Sequence, residues 1–329
     1  MLALQRRSLL GLIGASALGS GFTAAAQQPV QVRVINFPGV QDLPFIVAET
    51  KGFFAKRGLD VKITNTGSST ELRDGLASGQ YHVAHTAADN AVAMVELQNA
   101  DVAIVIGGDN SFNDFFVTPD IHTYQDLRGK TLVVDAPNTA FALADYQILQ
   151  QHGVPRGSYK ISLAGGTPVK RLDVLTKTKL AQAGMLNLPY SIFAKKAGLR
   201  KLGSLTGELG PYQGTTGFLL RPWGQANRDT VVHYIQGYID AVRWIQDPKN
   251  KNEAIALLAD RLKLTPDIAV DCYNIVANPT TGFTKDAAVD YVGFKNVLKL
   301  RAEVMGQWGG HPPPPDNYLD LSYYRLATA

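Results

Sequence analysis

Apolar and polar residues follow two repeating patterns along the first third of this chain. Short stretches carry the two-residue alternation or the continuous apolar run of strands, and the segments between them carry the helical period. The predicted strands are Val30–Ile35, Leu59–Ile63, Tyr81–His85 and Val102–Ile106. Strands and helices in alternation predict an α/β lobe, in which a largely parallel sheet has helices on both faces.

The same alternation restarts after Lys130, which predicts a second lobe of the same class. Its predicted elements are the strands Thr131–Val134, Lys160–Leu163 and Leu180–Gly184 and the helices Ala140–Gln151 and Pro168–Leu175. Extended segments at Phe115–Thr118 and Gly217–Leu220 are predicted to enter and leave this lobe. The chain would therefore cross between the lobes twice, and two crossings form a hinge.

The C-terminal third is predicted to be helical. From Asn227 onward one apolar stripe contains Val231, Ile235, Tyr238, Ile239, Val242 and Ile245. Further helices are predicted at Lys251–Arg261, Pro266–Val276 and Lys285–Leu298, packed on the first lobe. We expect residues 27–118 and 221–329 to form lobe 1 and residues 119–220 to form lobe 2.

Residues 1–26 have the composition of a secretory signal peptide. Arg6 and Arg7 precede an apolar stretch that runs to Phe22, and Ala24–Ala26 offers a cleavage site of small residues. The paired arginines are also typical of a twin-arginine signal, which exports folded proteins. The alternative is an uncleaved membrane anchor, which the short stretch, interrupted by Gly and Ser, disfavours. No cysteine follows the stretch, so we expect a free periplasmic protein and not a lipoprotein.

Charge and cysteine content exclude several classes of protein. Removal of residues 1–26 takes away two arginines and no acid, so the formal net charge falls from +4 to +2. A nearly neutral chain argues against a nucleic-acid partner. Cys272 is the single cysteine among 329 residues, so an intramolecular disulfide cannot form. Its helical, apolar surroundings predict a packed thiol and not a reactive one.

The segment Leu43–Ile63 combines a helix, a turn and a strand. Asp42 is placed to cap the helix, Gly52 ends it, and Gly58 follows the aromatic pair Phe53-Phe54. The segment resembles the "GFF…GLDV" signature of bacterial solute-binding proteins for aliphatic sulfonates, nitrate, taurine and thiamine-precursor pyrimidines. That resemblance spans nearly the whole chain after residue 26.

The resemblance implies a two-lobed type II periplasmic-binding-protein fold of the α/β class. Each lobe would have a mostly parallel sheet flanked by helices, with the ligand cleft between the lobes. The implied partners are a small-molecule solute and, indirectly, the membrane permease and ATPase of an ABC importer. The resemblance implies a monomer without a cofactor.

Polar loops follow the predicted strands at the edge where open α/β sheets bind ligands. Ser68 and Glu71 fit a capping box, and free backbone N–H groups of this turn are candidates to bind an anion. The candidate ligand-binding residues of these loops are Gly39, Gln41, Asp42, Ser68, Ser69, Thr70, Thr86, Asp89, Asn90, Asn138 and Thr139. By resemblance, Asn187 and Tyr190 face them from the second lobe. The alternative is ordinary turn and cap chemistry without a ligand.

Two other patterns have weaker functional interpretations. His82 and His85 lie three apart on a predicted strand, so they point to opposite faces and cannot share a metal ion, although His85 could lie near the cleft. Gly165–Thr167, followed by Lys170 and Arg171, is either an anion clamp or a capped helix with a solvated basic face. We favour the capped helix.

The function predicted from these features is binding without chemistry. The candidate loops are rich in Ser, Thr, Asn and Gln, which favours a sulfonate, a carboxylate or a heterocycle as solute, with Phe112 and Phe116 as possible apolar walls. Two enzyme alternatives on this fold are a desulfinase with a cysteine nucleophile and a pyrimidine synthase with a cysteine-rich iron motif. Neither pattern is present in this sequence, so we do not expect an enzyme. A solute sensor that partners a membrane kinase is the third alternative.

Overall fold

The computed structural model describes residues 28–329, so the predicted signal peptide lies outside the described residues. Ten strands are present in this part of the chain: β1 (Val30–Asn36), β2 (Leu59–Asn65), β3 (Val83–Ala87), β4 (Val102–Ile106), β5 (Asn113–Val117), β6 (Thr131–Val133), β7 (Lys160–Ser162), β8 (Ala183–Asn187), β9 (Arg200–Ser204) and β10 (Thr215–Leu220).

Thirteen α-helices connect and follow these strands within the described residues: α1 (Leu43–Thr50), α2 (Ser69–Ala77), α3 (Ala88–Gln98), α4 (Ala140–Gln151), α5 (Pro168–Asp173), α6 (Tyr190–Lys196), α7 (Leu205–Leu209), α8 (Arg221–Ala226), α9 (Arg228–Gln246), α10 (Lys251–Leu262), α11 (Pro266–Val276), α12 (Tyr291–Met305) and α13 (Ser322–Thr328). A π-helical turn, Val174–Thr178, continues α5.

The strands form two five-stranded sheets, in the orders β2-β1-β3-β10-β4 and β7-β6-β8-β5-β9. Strand β1 pairs in parallel with β2 and β3, and β6 pairs in parallel with β7 and β8. Strands β10 and β5 run antiparallel to both of their neighbours. The predicted α/β class with two lobes is confirmed, and each sheet is mixed because it contains one reversed strand.

The reversed strands are the segments that come directly after each crossing. The first crossing is at residues 107–112, before β5, and the second is at residues 210–214, before β10. The predicted bounds at residues 118 and 220 are therefore a few residues late: β5 belongs to the second sheet and β10 to the first. An extended apolar segment predicts a strand, but its sequence does not specify which sheet pairs with it.

The signature segment packs against the long helix α9. The predicted apolar stripe of α9 is buried, from Val231 to Ile245. Phe54 stacks on Tyr234 of α9 with ring centroids 5.6 Å apart. A Cβ on Gly237 would lie 2.5 Å from the Phe54 ring, so a glycine is needed for this close approach. The segment is thus part of the scaffold of the first lobe.

Helix α12 begins later than predicted and contacts both lobes. Asp286 and Ala287, with φ of 54° and 51°, have a left-handed backbone inside the 3-10 turn Lys285–Ala287, so the predicted helix is interrupted before α12 starts. Helix α12 packs against α3 of the first lobe and α4 of the second. Gln147 of α4 donates a hydrogen bond to Glu303 of α12 at 3.1 Å. The C-terminal helices therefore do not pack on the first lobe alone.

The carboxylate of Asp109 connects the two crossings. It accepts hydrogen bonds from the backbone N–H of Ser111 at 2.8 Å and from the Thr215 hydroxyl. The backbone N–H of Gly214 donates to the Asp109 carbonyl oxygen at 2.9 Å. Asp109 is 2% exposed, and burial raises its pKa above the ordinary value. One buried side chain thus fixes the first crossing against the second.

Replacement of Thr215 by Val is expected to lower the free energy of unfolding by about 2 kcal/mol. Valine keeps the shape of threonine but removes the hydroxyl donor to Oδ2 of the buried Asp109 carboxylate, whose Oδ1 keeps the backbone N–H of Ser111. Replacement by Ser keeps the hydroxyl and is the matched control. Urea unfolding measures both variants, and equal stability of the Val and Ser variants would contradict this role.

Candidate functional site

A cavity of about 340 Å³ lies between the two lobes, at the carboxyl ends of the strands. This volume is in the range of small-molecule sites. Its lining comes from both sheets and both crossings: Phe37, Pro38, Gln41, Asn65, Thr66, Gly67, Ser69, Thr86, Ala87 and Asn90 from lobe 1, Asp109, Ser111, Phe112, Tyr212, Gly214 and Thr215 at the hinge, and Asn113, Asp135, Thr139, Ala140, Phe141, Gly166, Thr167, Pro168, Arg171, Asn187 and Leu205 from lobe 2.

The structure brings about half of the predicted site residues to this cavity. Those that line it are Gln41, Ser69, Thr86, Asn90, Thr139 and Asn187. Those that do not line it are Gly39, Asp42, Ser68, Thr70, Asp89, Asn138 and Tyr190. Each residue of the second group has a structural position that accounts for its absence from the lining.

Four of these residues cap a helix, pack against a neighbouring ring or face solvent. Ser68 accepts a hydrogen bond from the backbone N–H of Glu71 at 3.3 Å and so caps α2. Thr70 and Asn138 are exposed. Tyr190 packs edge-on against Phe193 of its own helix, with ring centroids 6.1 Å apart. The capping-box pattern of Ser68 and Glu71 thus predicts the start of α2, and Ser68 does not line the cavity.

Asp89 forms an ion pair with Arg301 of α12. Its carboxylate oxygen lies 2.5 Å from the arginine Nη1, and both side chains are almost completely buried. Removing one partner of such a pair leaves an uncompensated buried charge, which is strongly destabilising. Asp89 therefore joins α3 to α12 and does not contribute a free carboxylate to the cavity.

Gly39 and Gln41 act together at the rim of the cavity. A Cβ on Gly39 would lie 2.5 Å from the Gln41 Oε1 atom, so the glycine leaves room for that side chain to fold back. The Gln41 amide donates to the Phe37 carbonyl oxygen at 3.0 Å, while its Oε1 atom is buried without a partner. Gly39 thus leaves space for the folded-back side chain of Gln41.

Asp42 lies behind the cavity wall. It makes no helix cap; its carboxylate accepts hydrogen bonds from Asn36 at 2.6 Å and from Asn65 at 3.3 Å. Burial raises its pKa to about 7, against the lowering effect of these hydrogen bonds. Because Asn65 lines the cavity, Asp42 acts on the site through the orientation of this side chain.

Arg171 corrects the prediction of a solvated basic face on α5. It is 2% exposed and lines the cavity, whereas the preceding Lys170 is exposed. Its Nε and Nη1 atoms donate to the carbonyl oxygens of Met185 and Gly165 at 3.0 and 2.9 Å. The guanidinium carbon lies 5.1 Å from the centre of the Phe141 ring. No sequence pattern indicates this position, because a helix of six residues is too short for its apolar period to identify a buried face.

Three half-buried aromatic rings line the cavity: Phe37 after β1, Phe112 at the hinge and Phe141 on α4. Phe112 was one of two predicted apolar walls. The other, Phe116, is 2% exposed and lies in the core of the second lobe. Half-buried rings beside an open volume favour a ligand with a flat apolar surface.

The histidines and the cysteine lie away from the cavity lining. His85 is buried between the rings of Phe45 and Tyr238, and burial lowers its pKa to about 3. His82 stacks on Trp223 with ring centroids 4.8 Å apart. Cys272 is buried in α11, and burial raises the pKa of its thiol to about 12. Residues 28–329 contain no group of three or more His, Cys, Asp or Glu side chains arranged to hold a metal ion.

The two lobes approach one another across the mouth of the cavity. A Cβ on Gly67 of the first lobe would lie 3.2 Å from the Thr167 methyl group of the second. Thr167 also caps α5, as predicted, by accepting from the Lys170 N–H. Lys196 of α6 forms an exposed ion pair with Asp267 of α11. The described conformation thus has contacts between the lobes outside the hinge.

Comparison with known proteins identifies the type of domain. Residues 40–178 match the family model described as NMT1/THI5 like. This segment, less than half of the chain, is similar to that family. This confirms the family resemblance that the segment Leu43–Ile63 predicted. No helix among residues 28–329 combines the length and the apolar character needed to cross a membrane.

Curated proteins similar to this chain include a solute-binding protein. The bicarbonate-binding protein CmpA of Synechococcus elongatus is 23% identical over 273 residues, which is 73% of this chain and 60% of CmpA. The chain thus spans less than two thirds of the length of CmpA.

Solved structures with the same fold include two solute-binding proteins. The periplasmic nitrate-binding protein NrtA of Synechocystis PCC 6803 has a TM-score of 0.73 and 14% identity, over 92% of this chain and 89% of NrtA. The alkanesulfonate-binding protein SsuA of Xanthomonas axonopodis pv. citri, bound to MOPS, has a TM-score of 0.69 and 15% identity, over 92% of this chain and 99% of SsuA. The chain has their two-lobed fold.

Replacement of Asp42 by Asn is expected to flatten the pH dependence of stability. The pKa of Asp42 is raised from 3.8 to about 7, so the native state holds this proton more tightly than the unfolded chain does. The group therefore stabilises the fold below about pH 4, and this contribution is lost as the pH rises to about 7. Urea unfolding should show the free energy of the wild type falling across this window relative to the variant. Parallel pH profiles would contradict the assignment.

Proposed function

We propose that the protein is an extracytoplasmic solute receptor, which binds a small organic molecule between its lobes and delivers it to an ABC-type permease. The observation that carries this proposal is the shared lining of the cavity: side chains of both lobes and both crossings surround one volume. A ligand in that volume contacts both lobes only when they are closed, so binding favours the closed form.

The resemblance to binding components of import systems supports this role. CmpA, NrtA and SsuA are named for the bicarbonate, nitrate and alkanesulfonate that they bind. The proposed partners are the permease and, through it, its ATPase. We further propose export to the periplasm by the twin-arginine-like segment at residues 1–26, cleavage near Ala26, and a monomer in solution.

A binding role is also favoured over an enzymatic one by the chemistry of the cavity. A nucleophilic cysteine needs an accessible, electropositive surrounding, but Cys272 is buried in α11 with a raised pKa. The cavity lining contains carboxamides, hydroxyls and aromatic rings, together with Asp109, Asp135 and Arg171, and their hydrogen bonds are largely to protein groups. This arrangement can hold a solute without bond breaking.

Replacement of Asn187 by Ala is expected to weaken solute binding about tenfold. Asn187 lines the cavity from β8, and its Oδ1 atom is buried without a hydrogen-bond partner from the described residues. Loss of a buried hydrogen bond to a ligand costs about 1 to 1.5 kcal/mol. A thermal-shift panel of sulfonates, carboxylates and heterocycles identifies a solute, and calorimetry then measures its affinity for the purified protein.

The matched control is Asn138→Ala, because Asn138 is an exposed asparagine of the same lobe that does not line the cavity. Its affinity should equal that of the wild type. Equal losses in both variants would contradict the location of the site. No thermal shift with any compound, together with turnover of one of them, would overturn the receptor proposal.

A further inference from the structure

Arg171 is a buried cation that lines the cavity without a carboxylate partner. It is 2% exposed, yet no ion pair among residues 28–329 includes it. Its Nε and Nη1 atoms donate to the carbonyl oxygens of Met185 and Gly165, whereas Nη2 has no partner among these residues. Nη2 belongs to a group that stays charged, and a donor of this kind is unfavourable in a buried place unless an acceptor reaches it.

The loop before α5 leaves space for this side chain. A Cβ on Gly165 would lie 2.5 Å from the Arg171 Cγ atom and 2.8 Å from the Val134 carbonyl oxygen, so a glycine is needed for the close approach. On another side, the guanidinium carbon lies 5.1 Å from the centre of the Phe141 ring. Contacts with this loop, with β8 and with α4 therefore position the arginine at the cavity wall.

The two carboxylates of the lining, Asp109 and Asp135, are bonded to other protein groups. Asp109 accepts from the Thr215 hydroxyl, and Asp135 accepts from the Thr139 hydroxyl at 2.6 Å. Nη2 of Arg171 is the only nitrogen among the buried, unpartnered side-chain atoms of the lining that the structure describes. An oxygen of a bound solute would supply the acceptor that the protein does not.

Two acceptors of the lining lie near this donor. Asn113 and Asn187 are directly opposite one another in the β5–β8 pair, so their Cβ atoms are about 5 Å apart. The amide of Asn113 donates to the Ser111 hydroxyl at 2.5 Å, and the Oδ1 atoms of both asparagines are buried without partners among residues 28–329. Asn187 lies about 7 Å along β8 from Met185, whose carbonyl oxygen holds Arg171. One small molecule can therefore reach the donor and both acceptors.

We propose that the cavity binds a small organic acid that also carries an N–H donor group. An oxygen of the acidic group, a carboxylate or a sulfonate, accepts from Nη2 of Arg171, and the N–H group donates to Oδ1 of Asn113 and Asn187. The half-buried rings of Phe37 and Phe112 contact the apolar body of the solute. This inference rests on the proposed receptor function. Nitrate should bind weakly, because it has neither an N–H donor nor an apolar body.

Calorimetry of the purified wild-type protein with matched compounds tests both parts of the solute. The probes are the three aminobenzoates and the three aminobenzenesulfonates, each with its amide and with the parent acid that lacks the amino group, together with nitrate. At least one amino-substituted acid should bind about tenfold more tightly than its amide, its parent acid and nitrate. The isomers vary the spacing of the two groups, and the tighter series identifies the acidic group. Equal affinity of the amino-substituted acids, their amides and their parent acids overturns the proposal.

The variant Arg171→Lys tests the donor. Lysine keeps the positive charge, but its single ammonium cannot reproduce the fixed fork that donates to two carbonyl oxygens and to a solute. The affinity for the tightest acid should fall about tenfold or more, and by a larger factor than the affinity for its amide. Lys170→Gln is the matched control, because Lys170 is an exposed cation outside the cavity lining, and both of its affinities should equal those of the wild type.

Equal losses for the acid and its amide in Arg171→Lys, or the same loss in Lys170→Gln, overturn the role of Arg171. Urea unfolding of each variant shows whether it is folded. The comparison of compounds on the wild type needs no variant, so it remains decisive if Arg171→Lys does not fold.

The variant Asn187→Ala tests the acceptors. It should weaken binding of the amino-substituted acid about tenfold and leave the affinity for the parent acid unchanged, because only the first compound has a donor for Oδ1. Asn138→Ala, an exposed asparagine of the same lobe, should keep the wild-type preference. An unchanged preference in Asn187→Ala contradicts the role of this acceptor.

The two proposals fail in different ways. Tighter binding of nitrate, an amide, a parent acid or a heterocycle than of every amino-substituted acid refutes this inference while the receptor function stands. Binding of no compound from this set or from the thermal-shift panel, by a protein that circular dichroism shows to be folded, contradicts the receptor function, and this inference fails with it.

Discussion

The carboxylate of Asp109 accepts hydrogen bonds at the point where the two crossings of the chain meet. Each crossing is followed by a strand that completes the sheet of the lobe it enters: β5 in the second sheet and β10 in the first. Neither sheet can therefore form without a segment that begins at the hinge. This exchange fixes the hinge more strongly than two simple linkers would, because displacement of a crossing also displaces an interior strand of a sheet.

The position of the cavity follows from that constraint. The lining comes from the carboxyl ends of the parallel strands β1, β2, β3, β6, β7 and β8 and from the segments that follow most of them. Side chains at the strand ends of a sheet keep their positions within their own lobe. Closure of the two lobes would therefore change the distance between two preformed half-sites. The hinge residues Asp109 and Thr215 line the same volume, which places the ligand against the moving part of the molecule.

Local signals in the sequence were enough to predict most elements, but only part of the site. The bounds of α4 and α11 were predicted correctly, because Thr139 precedes the first and Pro266 opens the second. The site prediction failed where a partner distant in sequence decides the role of a residue. Asp89 pairs with an arginine 212 positions away, and no pattern around Asp89 indicates this partner. Arg171 was assigned to solvent for a related reason: the carbonyl oxygens that bind it belong to strands and loops, and these carry no side-chain signal.

The net charge of such a cavity cannot be inferred from the types of residue that line it. An arginine in a binding cleft suggests an anionic ligand, and the names of related proteins suggest the same. Here two nitrogens of the arginine donate to carbonyl oxygens and the guanidinium lies over a phenyl ring, while Nη2 has no partner among the described residues. Burial in a low-dielectric wall raises the cost of leaving such a donor without a partner. The lining atoms left without partners among residues 28–329 include amide oxygens, which accept, and Nη2 of Arg171, which donates, so both kinds of group bear on the chemistry that a solute must bring.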